Sequence, residues 1–187
     1  MKYRIIRIAT ASALALPLAA CSTFNYISST FSSTKPELCP DAMILAGTSS
    51  LPAFDPKQEG DPSGVIYSMA MTNVTTHCDF DKSEKTADSS LKIFFHAQRP
   101  PGGSEVNYRV PYFVALTSNG VIFNKQILWL EFTFAQGAVS KDIAEDVDSE
   151  AVKYEKGKTA YDYHYIVGFQ LTKTQLDYNA KIGPYEP

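Results

Sequence analysis

The feature that most constrains this chain is a hydrophobic period of two residues that recurs from residue 38 onward. Tyr161, Tyr163, Tyr165, Val167, Phe169 and Leu171 alternate with Asp162, His164, Ile166, Gly168 and Gln170. Leu91, Ile93, Phe95 and Ala97 alternate in the same way with Lys92, Phe94, His96 and Gln98. Side chains two apart share one face of an extended chain, whereas a helix needs apolar residues three and four apart. Val106, Tyr108, Val110, Tyr112, Val114 and Leu116 make a third set, with Pro111 in its middle. Proline cannot donate to a ladder, so this set predicts an edge strand, or two short strands meeting at a bend.

The segments between these runs complete a β pattern. Residues 42–46 follow Pro40 as a short apolar strand. Pro52, Pro56, Gly60, Pro62 and Gly64 predict a loop. Residues 65–71 form a strand that extends through Val74 toward Cys78, and the polar stretch 79–89 is expected to be a loop. Residues 99–104 carry two prolines and two glycines and stop the next strand. Ser118-Asn119-Gly120 is a hairpin signal, because Asn-Gly suits the positive φ values of a type I′ turn. Residues 121–134 return as the expected longest strand. Its second half, 127–134, is apolar on both faces apart from Glu131 and Thr133. That predicts a central strand covered on both sides, or a strand touching a partner. In the acidic stretch 138–150, Ile143 and Val147 lie four apart, which predicts one or two helical turns. Val152 and Tyr154 start a short strand before the turn at Lys156-Gly157-Lys158. Thr172 is placed to N-cap a helix over 173–180, with Leu176 and Ala180 on one side and Gly183-Pro184 ending it. About seven strands joined by turns argue for a mainly β domain over residues 38–187. The expected architecture is an antiparallel β-sandwich, immunoglobulin-like, with a short C-terminal helix. A small closed barrel is the alternative.

Residues 1–20 read differently. Lys2, Arg4 and Arg7 form a positive region without acid, and an apolar run from residue 8 to residue 20 contains Leu14, Leu16, Pro17 and Leu18. This is the composition of a secretory signal peptide. The run is too short for a comfortable membrane span of about 20 residues. Leu18-Ala19-Ala20-Cys21 resembles the lipobox of bacterial lipoproteins. The resemblance implies that the Cys21 thiol receives a diacylglyceryl group, that the signal is cut before it, and that the new amino group is acylated. A thiolate is the nucleophile such chemistry needs. Two or three acyl chains on one residue hold a protein on a membrane far more firmly than one. Ser22 stands where Asp would favour inner-membrane retention in this family, which implies the outer membrane and a periplasmic domain. Residues 21–37 then form a lipidated tether rich in Ser and Thr, with too little apolar surface to fold alone. Its Phe24, Tyr26 and Phe31 either sit at the lipid headgroups or are simply exposed. The stretches 111–116 and 168–172, with Gln175-Leu176 and Tyr178-Asn179, are similar to uncharacterised bacterial lipoproteins. That likeness brings no activity with it.

Cys39 and Cys78 remain as an even pair in an exported chain and are expected to form a disulfide. Two buried free thiols, or half of a metal site, are the alternatives. No CxxC spacing supports a metal. Loss of the three signal cations takes the net charge from −3 to −6. An acidic domain argues against nucleic acid as a partner.

Candidate chemistry is sparse. His77, His96 and His164 each fall at outward positions of alternating strands, and none is spaced to pair as metal ligands. No GxSxG is present, and Ser104 after Gly102-Gly103 reads more simply as a turn than as an oxyanion or phosphate loop. Asp146, Asp148 and Glu150 offer alternating carboxylates for calcium, but lack the glycine and distal glutamate of an EF-hand. A solvated acidic run over 142–150 is the plainer reading. Asn73-Val74-Thr75 matches a glycosylation acceptor, which a bacterial lipoprotein would not use. Tyr108, Tyr112, Tyr163 and Tyr165, with Tyr161, either border a ligand groove or fill a core with their hydroxyls at its rim. The expectation is a non-enzymatic envelope lipoprotein without a cofactor. Cys21 ties it to the membrane, and its role is to contact an envelope protein or the cell-wall polymer. A module that binds a glycan or small molecule in the tyrosine groove is the alternative. A hydrolase of unrecognised type is the third reading.

Overall fold

Nine strands among the described residues, most of them with burial that alternates along part of their length, sort into two facing sheets. The computed structural model describes residues 39–149, 151–183 and 185–187. The strands are β1 (Asp41–Ile44), β2 (Ser50–Phe54), β3 (Val65–Asp81), β4 (Thr86–Gln98), β5 (Val106–Ser118), β6 (Val121–Phe134), β7 (Ser140–Asp148), β8 (Val152–Lys153) and β9 (Tyr163–Phe169). One helix, α1 (Lys173–Ile182), follows them. One sheet has the order β1-β9-β5-β6 and the other β2-β3-β4-β7, with β8 paired to the start of β4. All pairs are antiparallel except β1 with β9. Among the described residues no ladder joins the two sheets, so the molecule is an antiparallel sandwich and not a closed barrel.

The facing sides interdigitate. Met69, Leu91, Ile93 and Phe95 from one sheet meet Val110, Tyr112, Leu130, Phe134, Tyr165, Val167 and Phe169 from the other. Phe95 sits with its ring centre 5.6 Å from that of Tyr112 and 5.9 Å from that of Phe169. Burying each such side chain contributes about 1.5–3 kcal/mol. A disulfide joins Cys39, just before β1 in one sheet, to Cys78 on β3 in the other. Unlike antibody domains, the molecule does not pack its tryptophan against that bridge: Trp129 is exposed on β6.

Several segments depart from the sequence expectation. The proline loop contains β2. Pro52 is tolerated there because the main-chain groups of Ser50 and Pro52 point away from β3, toward α1. The polar stretch 79–89 is a tight hairpin. The Asp81 carboxylate accepts from the Ser83 N–H and hydroxyl and from the Glu84 N–H, while Lys85 takes a φ of 56°. β5 is one continuous central strand, flanked by β6 and β9, and not an edge. Pro111 survives within it because the β9 ladder starts one residue later, at Tyr112 with Phe169. β6 is an edge strand rather than a central one, and at 17 residues β3 is longer than it. The acidic stretch is β7, not helical turns; its Asp146 pairs with Lys92 and its Asp142 with His96 across β4. The Asn119-Gly120 turn is as expected, with φ values of 50° and 75°.

Thr172 caps the helix as expected, and the Gln175 side chain, which the sequence did not single out as a cap, reciprocates by accepting from the Thr172 N–H. The helix docks by a different face. Leu176 and Ala180 are exposed, whereas Gln175, Tyr178 and Asn179 face β2. The Gln175 amide donates to the Pro52 carbonyl and the Asn179 amide to the Ser50 carbonyl, each at 2.8 Å. The Tyr185 N–H reaches the Ser50 hydroxyl at 2.8 Å, and Tyr178 packs edge-on against Phe54. The free edge of β2 is thereby closed.

Candidate interaction surface

A sandwich of two open sheets has four edges, and an open edge presents unpaired N–H and C=O groups to any strand that arrives. Three edges of this one are protected. β2 is covered by α1. β1 has four residues only. β7 carries the outward carboxylates Asp142, Asp146 and Asp148, which repel a second acidic strand. β6 has 14 residues; its outward charges, Lys125 and Glu131, are of opposite sign, and among the described residues no helix or loop covers it along most of its length.

The register shows which β6 groups are open. The Gln170 N–H donates to the Pro111 carbonyl, so odd-numbered residues of β5 point toward β9 and even-numbered ones toward β6. Val110, Tyr112 and Val114 pair with Leu130, Leu128 and Gln126. The main-chain groups of Lys125, Ile127, Trp129 and Glu131 therefore face away from β5, and among the described residues no second strand pairs with them. The open window has two ends. Toward the hairpin, the register shifts where Leu116 gives way to Thr117. Toward the other end, the Lys141 ammonium donates to the Thr133 carbonyl at 3.0 Å.

The side chains of the same four residues stand on the outer face of the sheet. Ile127 is 53% exposed and Trp129 47%. The Arg109 guanidinium lies over the Trp129 ring at 4.3 Å and reaches the Glu131 carboxylate at 3.3 Å. The Lys125 ammonium lies over the Phe113 ring at 4.4 Å and donates to the Gln170 side-chain carbonyl at 3.1 Å. The exposed Arg109–Glu131 ion pair adds little stability, about 1 kcal/mol at most. These contacts do hold two cations and an aromatic ring in fixed places, and Trp and Arg are the residues enriched at binding hot spots.

The tyrosines of the expected groove are mostly elsewhere. Tyr112, Tyr163 and Tyr165 are buried in the core. Their hydroxyls find partners inside: Tyr112 donates to Glu145 at 3.1 Å, Tyr165 bonds Ser149 at 2.7 Å, and Tyr163 accepts from the Glu155 N–H at 3.1 Å. Burial, with Glu145 beside it, pushes the Tyr112 hydroxyl well above its ordinary acidity range. Among the described residues Tyr108 borders an open depression of about 460 Å³, with Asn107, Arg109, Glu131, Phe132 and Thr133. Tyr165 and Ser149 instead floor a cleft of about 160 Å³ between β6 and β7, smaller than the roughly 300–1,000 Å³ of ligand sites.

The remaining candidates fall as follows. Cys21 lies outside the described residues, as does Glu150. His77 is exposed; His96 and His164 are half-buried and lie on different sheets. Among the described residues no three His, Cys, Asp or Glu side chains converge as a metal site would require. The Gly102-Gly103-Ser104 turn wraps a residue the sequence did not single out, Arg99. It is 6% exposed. Its guanidinium donates to the carbonyls of Gly103, Ser104, Ala135 and Ala138, which ties together the two crossings between the sheets. A Cβ on Gly103 would come within 2.6 Å of that guanidinium. Comparison with protein-family models, with curated proteins and with solved structures finds no match for this chain.

Proposed function

We propose that this chain is a lipid-anchored envelope protein whose sandwich engages another macromolecule through the β6 edge without catalysing a reaction. One observation carries the reading: among the described residues β6 is a long sheet edge that no helix or loop covers along most of its length, with Ile127 and Trp129 exposed between Lys125 and Glu131. Natural proteins cover, charge or shorten such edges unless something occupies them. Strand addition at an exposed edge is an established mode of recognition, with main-chain bonds for affinity and flanking side chains for specificity. The anchor rests on Leu18-Ala19-Ala20-Cys21, and Ser22 favours the outer membrane, with the domain in the periplasm. The partner is an envelope protein, since a strand edge reads peptide backbone rather than a wall glycan. The tyrosine-groove alternative has less support, since Tyr112, Tyr163 and Tyr165 are buried in the core.

Two measurements test this. Cys21→Ser should release the protein from membranes and abolish lipid labelling; a mutant that still fractionates with membranes would show another anchor. A photo-crosslinking residue placed at 127 or 129 in intact cells should yield a discrete adduct, and one at 144 on β7 should not. Equal labelling at all three positions, or none at 127 and 129, would refute the β6 edge as the contact.

A further inference from the structure

We infer that the β6 edge pairs with the β6 edge of a second copy of this chain, antiparallel about a two-fold axis through Leu128. This deepens the β6 reading above and rests on it. The open window runs from Lys125 to Glu131, bounded by the register shift on one side and by the Lys141 cap on Thr133 on the other. Leu128 is its midpoint. A two-fold axis there sets Lys125 opposite Glu131 of the second copy and Ile127 opposite its Trp129, and each pair occurs twice by symmetry. Opposite charges and an aromatic facing a β-branched residue are both favourable cross-strand partners.

The backbone agrees with the side chains. Pairing about Leu128 matches odd-numbered residues with odd-numbered ones, and those are the residues whose N–H and C=O groups face the open edge. Four such pairs exchange about eight main-chain hydrogen bonds. Other two-fold registers keep the backbone bonds and lose the charge match. An axis through Ile127 sets Lys125 against Trp129, and one through Trp129 sets Glu131 against Ile127. Self-pairing of β7 would instead bring an acidic strand against itself. The result joins two four-stranded sheets into one continuous sheet. Seven paired residues a side bury less than the roughly 1,600 Å² of a standard interface, so free copies associate weakly and confinement to one membrane raises their effective concentration.

The test uses the full chain in its membrane. Two versions, Ile127→Cys and Trp129→Cys, are expressed together or singly and mildly oxidised. A disulfide-linked dimer is expected when both are present, and little when either is alone, because like positions lie on the diagonal, about 7–8 Å apart. Into this pair Lys125→Glu, Glu131→Lys, or both changes together are introduced. Each single reversal puts like charges opposite at two symmetric places and should cut trapping about tenfold. The double reversal should restore it. Sedimentation of the detergent-purified full chain, with circular dichroism to confirm the fold, should follow the same order. Equal trapping by the single and double reversals, or no dimer in membranes, overturns the self-pairing. Should residues 127 and 129 then crosslink to a different protein, the β6 contact stands and only its proposed occupant falls.

Discussion

Arg99 offers the sharpest test of how this sandwich is held together. Among the described residues no carboxylate pairs with its buried guanidinium, whose charge is spread over four carbonyl oxygens. Nε donates to Ala138 at 2.8 Å, Nη1 to Ser104 at 2.7 Å, and Nη2 to Ala135 at 2.8 Å and Gly103 at 3.2 Å. The cation also lies over the Phe134 ring at 4.6 Å. Hydrogen bonds to a charged group contribute about 1.5–3 kcal/mol each. Taking the guanidinium out of water costs several kcal/mol, so the net is well below the gross. Arg99→Met keeps the apolar stem, removes every donor and leaves four carbonyls to find water. The expected loss is about 3–5 kcal/mol: each carbonyl left without a partner costs about 1–3 kcal/mol, offset in part by the desolvation that the guanidinium no longer requires. That is a large share of the roughly 5–15 kcal/mol that stabilises a domain. It should lower Tm by about 10–15 °C at roughly 3 °C per kcal/mol for a domain of this size. Arg99→Lys keeps the charge but cannot span two loops, and should fall between the two, near 2 kcal/mol. Urea unfolding followed by far-UV circular dichroism, with an unchanged m value, measures both. A Met variant within about 1 kcal/mol of the parent would refute the idea that Arg99 ties the crossings together.

Two further outcomes follow from the same packing. Asn179→Ala removes the donor to Ser50 on β2 and should cost about 1–2 kcal/mol; amide exchange should rise in α1 and β2 but not in β4, and uniform protection would contradict the docking. Burial raises the Tyr67 and Tyr112 hydroxyls above their ordinary value of 10.0, with Tyr108 beside the first and Glu145 beside the second. A raised folded-state value means their stability contribution is intact below about pH 10 and is lost as pH climbs beyond it. The urea midpoint should hold to about pH 9 and fall above about pH 10, and Tyr67→Phe should lessen that fall. A midpoint that is flat through pH 11 would remove buried tyrosine as the cause.

Local chemistry was legible wherever one residue type does one job. Asn119-Gly120 reads as a hairpin because few other pairs accept two positive φ values. Thr172 announces the helix start, because its hydroxyl accepts an N–H of the first turn that has no partner within the helix. The alternation in β4 and β9 names the buried residues directly. The pairing of Cys39 with Cys78 followed from their being the pair left over. The segment that forms β7 is ambiguous in sequence because Ile143 and Val147 fit both periods, and only pairing with β4 decides between them.

What the sequence by itself determined was the class of the fold: extended segments, their buried faces, the turns between them and the residues able to bridge. It also carried the whole of the lipid-anchor expectation, which lies outside the described residues. Tertiary structure alone decided which strands became edges. Periodicity records which face of a strand is buried and holds nothing about what lies beside it. Pro111 could therefore sit in a central strand, and the doubly apolar residues 127–134 could line an open one. It also decided that three tyrosines were core, because their hydroxyl partners, Glu145, Ser149 and the Glu155 N–H, are brought to them by other segments. Arg99 was invisible for the same reason: its four acceptors are backbone carbonyls, and no sequence pattern marks where a carbonyl will point.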